Sequence, residues 1–214
     1  MTQDIRDQHP SGCRILEFSR DSFLNATLTD AATGETVYTI QTQSGPVHGM
    51  RTSLRATQST GGGVESREVA FITKGAIIHS NKIAFPGRQP LKIKDWIHKR
   101  TFTDPDAAKV NGEVIRYTWA NVPDSPKAGT ISLHAEHSAD HPIAWYYPSV
   151  AANPPWPAKV VIHPDAFAMQ DVVLASLLAD EQVDRSTASK GINYGRAAPM
   201  MAAVGPGAYS TYKG

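Results

Sequence analysis

The stretch His163–Val183, HPDAFAMQDVVLASLLADEQV, decides the fold. Pro164 suits a first helical turn, and Asp165 places a carboxylate at the positive end of a helix dipole. There is no Gly or Pro from Asp165 to Val183. At about 100° per residue, Phe167, Asp171, Leu174 and Leu178 share one stripe. Met169, Val173 and Leu177 point another way, and Ala168, Val172, Ala175 and Ala179 a third. The polar residues Gln170, Asp171, Ser176 and Asp180 are scattered, so no solvent face remains. The spacing predicts a helix over 164–183 that is buried on all sides. Its length is about 30 Å at 1.5 Å per residue. Gln170, Asp171, Asp180 and Glu181 argue against a membrane span, which needs about 20 predominantly apolar residues.

The rest of the chain reads as strands that must wrap this helix. Arg14–Phe18 (RILEF) alternates, with Leu16 and Phe18 on one face. Leu24, Ala26 and Leu28 alternate with polar residues, Asp30–Gly34 carries turn chemistry, and Tyr38 and Ile40 resume the alternation: a β-hairpin. RTSLRA (51–56), REVAFIT (67–73) and one or two segments of 75–85 follow as strands, with STGGG (59–63) as a loop. In LKIKDWIHKR (91–100), Leu91, Ile93 and Ile97 face one way. Lys92, Lys94, Trp96, His98 and Arg100 face the other. Thr101–Thr103 and EVIRYTW (113–119) flank a turn and form a second hairpin, with Ile115, Tyr117 and Trp119 on one face. AGTISLHA (128–135), PIAWYY (142–147) and AKVVI (158–162) complete the set, and the last leads directly into the helix. NPPWP (153–157) is no central strand, because prolines lack ladder donors.

The expected architecture is mainly β: a closed antiparallel barrel of about ten or more strands around one buried C-terminal helix, closure removing exposed edges. The expected layout is a mobile N-terminus (1–12), a barrel (13–183) and a flexible Gly/Ala/Pro-rich tail (184–214). The 214 residues fit one domain with a sizeable core. A formal net charge of +1 gives no whole-protein attraction to nucleic acid or anionic lipid, so such binding needs a local patch. The one cysteine, Cys13, excludes an intramolecular disulfide, and MTQDIRDQHPSG lacks the apolar core of a secretory signal. Both favour a cytoplasmic home, with peripheral membrane attachment as the form lipid binding would take.

Two segments carry a resemblance. LNATLTDAATGETVYTI (24–40) resembles the opening of a family of small fungal proteins of uncharacterised function. LKIKDWIHKRTFTDPD with GEVIRYTWANV (91–122) is similar to that family's second signature. In that signature a basic strand and a D-[FW]-[LI] step precede a turn and a Y-x-W strand. The turn here is longer, since Ala107–Asn111 lies between the PD pair and the Gly. The order of many strands and then one buried helix also resembles the tubby C-terminal, phospholipid-scramblase and LURP-one barrels. That resemblance implies a barrel threaded by a helix; tubby-type members bind phosphoinositide head groups through basic residues. A shared fold does not imply a shared function.

Four constellations carry candidate chemistry. Lys92, Lys94, Trp96, His98 and Arg100, with Lys99 adjacent, form a candidate ligand-binding face for an anionic phospholipid or a protein partner. The plainer account is a solvated face with cationic edge protection, diluted by Asp95. One Trp is too little for a nucleic-acid surface. His134, Glu136, His137, Asp140 and His141 are metal-ligand types, His134, Glu136 and His137 also being catalytic candidates, but their spacing matches no zinc motif and a polar turn is the plainer account. Asp171 on an apolar stripe is a catalytic acid, half of an ion pair with an arginine of the wall such as Arg51, Arg55 or Arg116, or a carboxyl near the barrel mouth. Trp145, Tyr146, Tyr147 and Trp156 either line a rim ligand site or cover the barrel as core. There is no phosphate-binding Gly loop leading into a helix and no GxSxG elbow, and no cofactor is expected. The expected function is a non-enzymatic binding module; the alternative is a hydrolase, metal-dependent or not, built on the histidine cluster or on a barrel pocket around Asp171.

Overall fold

The computed structural model describes residues 9–20, 22–45, 49–60, 63–74, 81–106, 114–123, 125, 128–150 and 156–188, without the side chains of 59, 60 and 183–188. The expectations for most of the mobile N-terminus (1–8) and of the flexible tail (189–214) lie outside the described residues.

Alternating inward side chains build the strands. On β1 (Arg14–Phe18), Leu16 and Phe18 are buried; on β2 (Ala26–Asp30), Ala26, Leu28 and Asp30; on β3 (Thr36–Gly45), Tyr38 and Ile40. β4 (Gly49–Thr60) and β5 (Gly63–Lys74) make a hairpin longer than RTSLRA and REVAFIT alone, so Ser59, Thr60 and Gly63 of the expected loop are strand, the rest of that loop lying outside the described residues. β6 (Lys82–Ala84) and β7 (Leu91–Lys92) are short. After them come a single helical turn, α1 (Ile93–Trp96), and β8 (Thr101–Thr103). β9 (Arg116–Asn121), β10 (Ile131–Ala135), β11 (Ser138–Tyr147) and β12 (Lys159–Ile162) follow, then a 3-10 segment (Pro164–Met169) and α2 (Gln170–Ala188).

All these strands join one antiparallel sheet in the order β7-β6-β5-β4-β3-β2-β1-β12-β11-β10-β9-β8. Two meanders meet where β1 pairs with β12, Leu16 opposite Val160. β7 and β8 end the ladder on opposite sides, yet only residues 93–100 separate them in the chain. That span is at most about 29 Å at full extension. The sheet therefore curls until its two edges stand near each other.

The expected closed barrel is not what forms: no ladder joins β7 to β8. The slot is bridged by α1 instead. Ile93 and Trp96 are buried, the Trp96 indole N–H donates to Thr103 O at 3.0 Å, and its ring packs against Phe85 and Phe102. Apolar side chains thus do at the slot what backbone pairing does elsewhere.

The helix expectation holds in its main point. Val172 to Asp180 are all buried. Nine consecutive helical residues turn through every direction, so α2 is enclosed on all sides. Its start differs from expectation. Residues 164–169 are 3-10, the His163 ring capping them by accepting from the Asp165 amide at 3.3 Å. The tighter winding takes Phe167 off the apolar stripe and leaves it 40% exposed. The helix also runs to Ala188, past the expected end at Val183. Among the described residues no helix is long and apolar enough to cross a membrane.

Candidate functional site

The basic segment does not form the alternating strand face that its spacing predicts. The backbone leaves extension at Ile93 and winds through α1, which turns Trp96 inward; Ile93 and Ile97 are buried, while Leu91 is 41% exposed on the edge strand. Lys99 and Arg100 then both take positive φ (50° and 64°), in a tight turn closed by His98 and Thr101. That turn aims Arg100 away from its neighbours: its Nε lies 3.4 Å from the Asp180 carboxylate on α2, and its Nη1 donates to Asn121 at 2.9 Å. Trp96 and Arg100 therefore leave the expected face, and Lys92, Lys94, His98 and Lys99 stay exposed.

The sheet adds a cation that sequence reading missed. Lys82 on β6 stands directly opposite Lys92 on β7. Like charges at opposed positions on paired strands repel. Lys82, Lys92, Lys94, His98 and Lys99 are all exposed, and none makes an ion pair among the described residues. Arg88, nearby in the chain, pairs with Asp106. This edge is the largest run of uncommitted positive charge in the described chain.

The histidine cluster does not assemble. His134 uses both ring nitrogens within its own hairpin, on Ser132 Oγ at 2.8 Å and Ala139 O at 2.6 Å. Glu136 faces Arg116 at 3.3 Å. His137 sits in the turn, and Asp140 and His141 are exposed on β11. Among the described residues no three His, Cys, Asp or Glu side chains come together as a metal site.

Asp171 is an ion-pair partner of a wall arginine, Arg67. Arg51 pairs with Glu68, Arg55 with Ser66 and Arg116 with Glu136. Asp171 instead accepts from Arg67 Nη2 and from the Tyr38 hydroxyl, both at 2.6 Å. Burial, then the Asp171 charge, pushes the Tyr38 hydroxyl well above its usual range, so it stays a donor. The next helical residue back, Gln170, accepts from Arg14 Nη1 at 3.2 Å, while Arg14 Nε donates to Asp30 at 2.8 Å. Burial alone would raise the Asp30 carboxyl, but the Ala32 amide and Arg14 outweigh it and hold it below the usual carboxylate range. One signal for this network was legible: Arg14 and Asp30 have the inward parity of Leu16 and Leu28.

The four aromatics divide. Tyr146 is inner core, against Phe18 and Phe23. Trp145, Tyr147 and Trp156 lie on the outer face with Cys13, Ile15 and Val161. His9 packs on Trp145 and Tyr147, 3.1 Å from the Tyr147 hydroxyl. Burial, then Lys159, brings the His9 ring down to about 4. Burial likewise raises the Cys13 thiol.

Residues 21–186 match the model of a family of unknown function, DUF6593. No curated protein and no solved structure matches the chain.

Proposed function

The chain belongs to the DUF6593 family, and on that premise we propose that it is a non-enzymatic binding module for an anionic phospholipid head group, held at the β6–β7–α1 edge. One observation carries the reading: Lys82 and Lys92 are register partners, with Lys94, His98 and Lys99 exposed alongside and no acid paired to any of them among the described residues. Such an arrangement costs the folded chain some repulsion, which an anion between the two lysines converts into attraction. Each lysine near an anionic surface contributes about 1 kcal/mol. The enclosed helix and the strands-then-helix order support kinship with tubby-type barrels, but the open slot separates this fold from a closed barrel.

Co-sedimentation with vesicles tests the proposal. Phosphoinositide-containing vesicles should retain the protein and neutral phosphatidylcholine vesicles should not. Lys82→Ala/Lys92→Ala/Lys94→Ala should release it, by roughly 3 kcal/mol for three cations. Equal binding to both vesicle types, or undiminished binding by the triple variant, would discard the reading.

A further inference from the structure

A cleft of about 600 Å³ opens where the chain enters the interior, between the start of β1, the β2–β3 turn and the 3-10 segment. Cys13, Arg14, Asp30, Ala32, Phe167 and Gln170 are on its walls. It stands well apart from the basic edge, since four strands separate β1 from β6 in the ladder. Its size falls within the roughly 300–1,000 Å³ of small-molecule sites.

Two features give the cleft a chemical character. Phe167 is the one exposed Phe, Tyr or Trp among the described residues. The 3-10 winding holds it out of the core, and it forms part of the cleft wall. An aromatic ring left partly wet on a concave wall gains by covering. The second feature is Arg14. Its Nε is fixed by Asp30 and its Nη1 by Gln170, so the guanidinium plane is set before any ligand arrives. Nη2 has no protein acceptor among the described residues, and the side chain is 29% exposed. The acceptors around it are already engaged. Asp30 Oδ2 takes Arg14 and Oδ1 takes the Ala32 amide at 2.9 Å. The wall therefore offers an arginine donor and an aromatic face, with its carboxylate spent internally.

We infer that this cleft binds a small amphipathic monoanion, its apolar body covering Phe167 and its carboxylate or sulfonate accepting from Arg14 Nη2. A single negative charge fits because Asp30 already offsets part of the guanidinium charge. A dianion would meet repulsion from the same carboxylate. The inference does not depend on the lipid reading of the basic edge.

Titration of the full chain with anilinonaphthalene sulfonate, followed by its fluorescence and by backbone amide shifts, tests the site. Saturable binding is expected, with shift changes centred on Gly12–Ile15, Ala31, Ala32 and Gln170. Phe167→Ser changes an exposed side chain and should lower the affinity about tenfold, the loss expected for one aromatic contact. Val64→Ser, exposed on the distant β5, should leave the affinity unchanged. Uncharged phenylnaphthylamine, of similar shape, should bind about tenfold more weakly than the sulfonate, the mark of the Arg14 contact. Shift changes centred elsewhere, or equal affinity of wild type and Phe167→Ser, would overturn the site. Equal affinity for the charged and uncharged probes would overturn the anion class.

Discussion

The start and the middle of α2 are tied to the rest of the fold by the same kinds of group in opposite surroundings. At the entrance, Asp171 meets Arg67 of β5 and Tyr38 of β3, with the Arg67 side chain 66% exposed and that of Asp171 29%. Deeper in, Asp180 meets Arg100 with its carboxylate side chain only 4% exposed, and the Trp119 indole N–H of β9 donates to the buried Ser176 hydroxyl at 3.0 Å. The entrance ties belong to the first meander and the deep ties to the second, so the helix pins the two halves of an unclosed sheet together. Equal chemistry is not equal energy. An exposed pair is screened by water, whereas a buried one leaves a stranded charge when its partner is removed.

The largest test of this contrast is Trp119→Ala. It empties a fully buried volume and removes one donor from the Ser176 hydroxyl, which keeps its own bond to Val173 O, and should cost about 3–5 kcal/mol in urea unfolding. Next, Arg100→Met should cost about 3 kcal/mol because Asp180 stays buried. Arg67→Met, at the entrance, should cost at most about 1 kcal/mol. Equal losses for these two arginines would break the comparison. Lys99→Gly sharpens it from the other side. Lys99 has a φ of 50°, a region that strains side chains with a Cβ, and relieving that strain should stabilise the chain by about 1 kcal/mol while leaving the Arg100–Asp180 pair in place.

The smallest effect concerns the outer face. His9 packs there as a neutral ring with its value lowered from 6.5 to about 4. A lowered histidine contributes in full above its unfolded value, and the contribution drains away as pH falls from 6.5 to about 4. Residues 9–12 should therefore lift from Trp145 and Tyr147 over that window, while the helix ties hold. Amide shifts of these residues would report the release. A change confined to pH above 7 would contradict it.

Much of this fold was legible from periodicity. Two-residue alternation located β1, the β2–β3 hairpin and the β8–β9 hairpin, short strand-like runs located β10 to β12, and a segment with no polar face announced the enclosed helix. Reading failed where the backbone changed period without a Gly or Pro to mark it. The segment 91–97 alternates in sequence, but α1 forms because Ile93 and Trp96 fill the slot between two sheet edges that no local rule brings together. The candidate sites were less legible still. Lys92 and Lys94 could be singled out, but Lys82 gains its meaning only from its position across the ladder. Asp171 on an apolar stripe calls for a basic partner, but only the folded sheet shows that the arginine is Arg67.

By itself the sequence determined what each segment must bury, because burial is a property of side-chain chemistry repeated at the strand or helix period. Only the tertiary structure decided which segments meet. The pairing of β1 with β12, the open slot plugged by α1, the arginines beside Asp171 and Asp180 and the cleft beside Phe167 all join residues far apart in the chain. Their contacts depend on register and curl, which are settled by the whole sheet curling around its helix rather than by any one stretch.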